Sequence, residues 1–102
     1  MEHFNKLDPA EHERLSLLLE EMGETQQIIG KILRHGYDSF HPDFPQITNR
    51  GLLVKELGHV WLAVQLMDDN NDVSLHSIRD QMKLKNLKVG KWLHHQEFSV
   101  DV

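Results

Sequence analysis

The sequence contains no cysteine. Disulfide staples, thiolate nucleophiles and Cys-based zinc fingers are therefore excluded. The same absence fits a reducing, cytoplasmic setting. Aromatic residues are scarce, at 7%, and there are only three prolines. Both shortages suit a helical chain better than a β-sandwich or barrel, which draws on aromatic strands and Gly/Pro-rich turns. Positive charge is in deficit: 11 Lys and Arg stand against 16 Asp and Glu, for a net charge of −5. Such a chain repels nucleic acid as a whole, so a nucleic-acid-binding module is a poor reading. A phosphorylated small molecule is still admissible, because a metal ion can supply the missing positive charge. Long hydrophobic runs are missing too. The longest apolar stretch, 60–67, is broken by Gln65 and is far too short to span a bilayer. Residues 1–8 are polar and lack the apolar core of a signal peptide, so no leader is expected.

What is present points to one small helical domain. A chain of 102 residues leaves no room for two domains and builds only a limited core of its own. There is no internal repeat and no low-complexity segment. Asp8-Pro9-Ala10-Glu11 reads as a helix start: Asp8 caps, Pro9 suits the first helical position, and Glu11 completes a capping box. This first helix is predicted to run to about Arg34, with Gly36 as its C-cap. Residues 37–48 hold Pro42 and Pro45 without helical periodicity and predict an ordered loop. Asn49 is the expected N-cap of a second helix reaching about Asp68. Asp69-Asn70-Asn71-Asp72 reads as a turn, and Ser74 caps a third helix carrying Ile78, Met82, Leu87 and Trp92, broken or bent at Gly90. The tail from Phe98 is expected to be loose or to pair with a neighbouring chain. Eight histidines are scattered along the chain. His94 and His95 are adjacent, and neighbours on a helix point about 100° apart, so they form no ready-made metal clip.

The acids are placed unusually. On a helical wheel of the first helix, Leu15, Leu18, Leu19, Met22, Ile29 and Leu33 form an apolar stripe, widened by Leu17, Ile28 and Ile32. Glu21 falls inside the widened arc, and Glu24 lies beside it one turn on. Glu20 points to the polar side. On the second helix, Glu56 lies amid Leu52, Leu53, Val60, Ala63, Val64 and Met67, and His59 follows at i+3. A buried carboxylate is costly without a partner, and two close together repel unless a cation sits between them. Mg²⁺ or Mn²⁺ suits an oxygen-rich site. Packing the two helices side by side would bring Glu21-x-x-Glu24 against Glu56-x-x-His59 as a four-ligand cluster. The second helix is also apolar almost all round, more than two other helices can cover. A symmetric dimer or a tetramer is therefore predicted.

Leu19-Glu20-Glu21-Met22-Gly23-Glu24 resembles the first motif, E-E-x-x-E, of the MazG-like all-α NTP pyrophosphohydrolases. Glu56-Leu57-Gly58-His59 resembles their second motif, E-x-x-D. Lys31-Ile32-Leu33-Arg34-His35-Gly36 and Asn49-Arg50 are similar to a phage-encoded branch of that family. The resemblance covers residues 15–67 well and the third helix loosely. It implies an all-α bundle completed by oligomerisation, as a homodimer or homotetramer. It also implies metal-dependent hydrolysis of a nucleoside triphosphate between the α and β phosphates, giving a monophosphate and pyrophosphate. Carried over by position, Glu21, Glu24 and Glu56 match metal-binding acids. His59 stands where the family has Asp, which bears on the metal held and on activity. Glu20 and Glu24 are the alternatives for orienting the attacking water. Lys31, Arg34 and Arg50, with Lys85, Asn86, Lys88 and Lys91 in the region of the family's basic patch, are the candidates for binding the substrate.

Two other readings remain open. Glu-x-x-His is also the signature pair of di-iron carboxylate bundles, so a dimer could hold iron through paired Glu56 and His59. Alternatively, the chain is a non-catalytic interaction module in which His59 marks a decayed site that binds Mg²⁺ or Mn²⁺ poorly.

Overall fold

A computed structural model describes residues 4–97 and places three α-helices in them: α1 (Pro9–His35), α2 (Asn49–Asp69) and α3 (Leu75–Val89). No strand occurs among the described residues; the one extended pairing is an isolated antiparallel bridge between Phe40 and Thr48. The expected behaviour of the tail from Phe98 lies outside the described residues. The chain divides into two compact units, Met1–Leu66 and Met67–Val102. The first holds α1, the loop and most of α2; the second holds the end of α2 and α3.

Local chemistry sets the helix ends. Asp8 accepts from the Glu11 backbone N–H at 2.7 Å, and Glu11 Oε1 accepts from the Asp8 N–H at 3.0 Å. With Pro9 at the first position, the capping box anticipated from the sequence is complete. α1 ends where Gly36 takes φ 88° and its N–H donates to Ile32 O at 2.7 Å. That backbone region strains residues with a Cβ and suits glycine.

The start of α2 differs from expectation by one residue. Asn49 is already helical, and Thr48 is the cap: its Oγ1 accepts from the Gly51 N–H at 3.1 Å. Asn49 is instead buried, and its Nδ2 donates to Gly36 O at 3.2 Å. Its own N–H donates to Ser39 O, and the Arg50 N–H to Tyr37 O. The Arg50 guanidinium stands 3.5 Å from Asp38 Oδ1 and 4.9 Å from the Tyr37 ring centroid. Loop 37–48 is thus ordered, pinned to the first turn of α2 by backbone and side-chain bonds.

Within the second unit, Asn71 adopts φ 64° in the turn after α2, a conformation Asn tolerates better than most residues. Asp68 Oδ1 accepts from the Leu75 N–H, and Ser74 Oγ from the Ser77 N–H, so Ser74 caps α3 as anticipated. α3 ends at Val89. Gly90 terminates the helix, and Trp92 lies beyond it.

The core is small and partly polar. Among the described residues of the first unit, Ile28 and Ala63 are the buried apolar members, and Thr25, Asn49 and Glu56 are buried as well; in the second unit Met67 is buried. The apolar stripe of α1 divides on folding. Ile28 is buried and Leu18 and Ile32 are half-buried, whereas Leu15, Leu19, Met22, Ile29 and Leu33 are exposed, Leu19 to 75% and Leu33 to 82%. On α2, Val54, Leu57, Trp61 and Leu62 are exposed as well.

Candidate metal centre

Two i, i+3 pairs meet between α1 and α2. Such residues lie on one face of a helix, about 5–6 Å apart at Cβ. On α1 that face also carries Thr25 and Ile28, both buried. Thr25 Oγ1 donates to Glu21 O at 2.7 Å, which satisfies the hydroxyl inside the helix that presents Glu21. On α2 the face runs from Glu56 through Ala63 to Met67, all buried. Glu56 is only 6% exposed.

Glu21, Glu24, Glu56 and His59 each offer one ligand atom, and all four atoms lie within 4.8 Å of one another. These are the four residues that the sequence pattern singles out. Glu20 is exposed and stands outside the group, also as expected. His59 Nδ1 lies 3.1 Å from Glu21 Oε2 and 3.6 Å from Glu56 Oε2. A carboxylate oxygen accepts, so Nδ1 carries the proton in the shorter contact. The imidazole faces into the group and tethers the two helices. Lys55 Nζ approaches Glu56 Oε1 at 3.8 Å from the partly exposed side. Glu56 Oε2 is buried and has no hydrogen-bond partner.

That orphaned oxygen tests whether a cation fits. A buried lone pair without a donor is uncommon in folded proteins and asks for a proton or a cation. The donor set, three carboxylates and one imidazole, is that of a divalent-ion site. Its oxygen content suits Mg²⁺ or Mn²⁺, and the imidazole favours Mn²⁺ and later transition ions. The residues present fit the group.

The substrate-binding candidates are distributed elsewhere. Lys31 and Arg34 line a cavity of about 620 Å³ between the end of α1, loop 37–48 and the start of α2. Arg50 is engaged with Asp38 and Tyr37. Lys85, Asn86 and Lys88 lie on α3 and Lys91 just after it, all in the second unit.

Sequence reasoning did not single out Lys55, Thr25 or the cavity. A signal for the cavity was present: Tyr37, Phe40 and Phe44, three of a total of seven aromatic residues, fall in one short loop. No family model, no curated protein and no solved structure matches the chain.

Proposed function

We propose that the chain is a MazG-like nucleoside triphosphate pyrophosphohydrolase that cleaves between the α and β phosphates with Mg²⁺ or Mn²⁺. The observation that carries this reading is the convergence of Glu21, Glu24, Glu56 and His59 within 4.8 Å inside one unit, with a buried Glu56 oxygen that accepts no hydrogen bond. Helical geometry alone explains why each pair shares a face. It does not explain why both pairs turn inward against each other and leave larger apolar side chains outside.

A bound divalent ion would offset triphosphate charge and lower the pKa of a water. Glu21 and the buried Glu56 would serve as ligands. On this reading Glu24, half-buried and without a contact like that between Glu21 and His59, orients the attacking water, a role its partial exposure supports; Glu20 faces solvent. His59 either would join the ligands through Nδ1 in the tautomer that carries its proton on Nε2, or holds Glu21 in orientation through an Nδ1 proton. Cationic side chains, Lys31 and Arg34 foremost, hold phosphate oxygens.

The active form is proposed to be a homodimer or homotetramer. The exposed apolar rows of α1 and α2 support this, since contiguous apolar surface on a small domain marks an interface.

The test is pyrophosphate release from a panel of ribo- and deoxynucleoside triphosphates with Mg²⁺ and with Mn²⁺. Release that depends on the metal and disappears in Glu56→Gln is expected. No release with any triphosphate, together with no binding of either metal, would refute the reading and favour the non-catalytic module. Iron with an optical absorption band and no hydrolysis would favour the di-iron alternative.

A further inference from the structure

The cavity lined by Lys31 and Arg34 has a chemistry of its own. It has a volume of about 620 Å³, within the range of small-molecule sites. Lys31 and Arg34 enter it from one face of α1, and none of its lining residues is acidic. In a chain of net charge −5, that is a local reversal of sign. The loop contributes rings to the lining: Phe40 and Phe44 line it, and both remain about half exposed. His41 lines it as well, tilted against Phe44 with ring centroids 6.0 Å apart. His41 Nδ1 accepts the Asp43 backbone N–H at 3.1 Å, which leaves Nε2 as the protonated, donating nitrogen. The 3.7 Å approach of the same Nδ1 to the Asp43 carboxylate is then not an ion pair.

The walls are built, not loose. Loop 37–48 is fixed to α2 through Asn49, whose side chain reaches Gly36 O and whose N–H reaches Ser39 O. Asn49 and Leu52 themselves line the cavity. The loop that carries the rings is therefore held by a buried hydrogen-bonded residue.

We propose that this cavity binds a nucleoside monophosphate without a metal ion, its phosphate on Lys31 and Arg34 and its base against Phe40 and Phe44. Two cations at i, i+3 stand about 5–6 Å apart at Cβ and match a doubly charged phosphate better than a single carboxylate. Aromatic faces accept any planar base by stacking. The proposal rests on the pyrophosphohydrolase reading only for its choice of a nucleotide, the product of that reaction; charge and rings stand without it.

The experiment is isothermal titration of the full chain with AMP, GMP, CMP, UMP and inorganic phosphate, with EDTA present throughout. At least one monophosphate is expected to bind, and inorganic phosphate at least tenfold more weakly. Arg34→Ala and Phe44→Ala are each expected to weaken nucleotide binding about tenfold, from loss of a charge-assisted bond and of a stacking face. Both side chains are exposed, so the fold should persist, which circular dichroism checks. Glu56→Gln is expected to leave nucleotide binding in EDTA unchanged. Four results would overturn the proposal: no monophosphate binds, phosphate alone binds as tightly, both cavity variants bind like the native chain, or Glu56→Gln abolishes binding. A metal titration run in parallel separates the two readings, because loss of metal binding in the native chain sinks the metal centre and leaves the cavity standing.

Discussion

Replacing Glu56 by Gln removes a charge while keeping shape, and the structure sets the size of the effect. Glu21 and Glu24 offer oxygens within 4.8 Å of Glu56. At an effective dielectric constant of about 20, two unit charges at that distance repel by about 3.5 kcal/mol, so the two neighbours together oppose Glu56 by about 7 kcal/mol. Lys55 Nζ, 3.8 Å from Glu56 Oε1, offsets about 4 kcal/mol on the same scale, with His59 counted as uncharged. The difference is about 3 kcal/mol, and because solvent screens both the Glu24 repulsion and the Lys55 offset, the lysine side chain being 58% exposed, the net repulsion stays on the order of 2–3 kcal/mol. Without metal, Glu56→Gln is therefore expected to be the more stable protein. For a domain of this size, about 2 kcal/mol raises Tm by roughly 10 °C.

With metal the order reverses. An ion at a hundred times its Kd stabilises the native chain by about 2.7 kcal/mol, and Glu56→Gln loses most of that gain. The assay is thermal unfolding by circular dichroism of both proteins, once in EDTA and once in excess Mn²⁺. The native chain should melt lower in EDTA and rise with Mn²⁺, while the variant should melt higher in EDTA and barely respond. A variant that is less stable in EDTA would show that Glu56 makes a favourable buried contact. A variant that still gains stability from Mn²⁺ would show that the ion sits elsewhere.

His59→Asp is expected to move the metal preference from Mn²⁺ or Co²⁺ toward Mg²⁺, because it exchanges imidazole for oxygen; identical metal profiles would exclude His59 as a ligand. Leu19→Glu combined with Trp61→Glu places charge on side chains that are 75% and 56% exposed; by light scattering the native chain should exceed monomer mass and the double variant should not. A native monomer at micromolar concentration would count against assembly. Asn49→Ala removes the bond to Gly36 O and is expected to cost about 1–3 kcal/mol in urea unfolding, with faster amide exchange confined to loop 37–48. Uniform exchange at native rates would show that Asn49 does not hold the loop.

What could be read from the sequence follows the range of the forces involved. The Asp8 and Ser74 caps were legible because their partners lie three residues away. The start of α2 was misplaced by one residue because Thr48 and Asn49 are both good caps. A bond spanning 13 residues, from Asn49 to Gly36, decides between them. No local rule contains that bond. The four ligand-bearing residues were legible because i, i+3 spacing fixes a shared face and apolar neighbours mark which face turns inward. The cavity was not, because Lys31, Arg34, Phe40 and Phe44 come together only once the loop has folded back on α2.

Periodicity identifies a surface that avoids water, but it does not say which partner covers that surface. In this fold the buried face of α1 holds Thr25 and Ile28 beside two acids, and the exposed face holds Leu15, Leu19, Met22, Ile29 and Leu33. An ordinary amphipathic helix turns its acids to water and its large apolar residues inward; here two acids share the inward side with Ile28 and the half-buried Leu17, Leu18 and Ile32. A 102-residue chain has too little core to tolerate both costs without compensation. On the proposed reading each cost has its own remedy: a cation for the inward acids and a second copy for the outward leucines. The two are separable in the tube, since EDTA removes the first and Leu19→Glu with Trp61→Glu removes the second. If both remedies are real, either treatment alone should lower stability, and the native chain with metal should be more stable than either treated form.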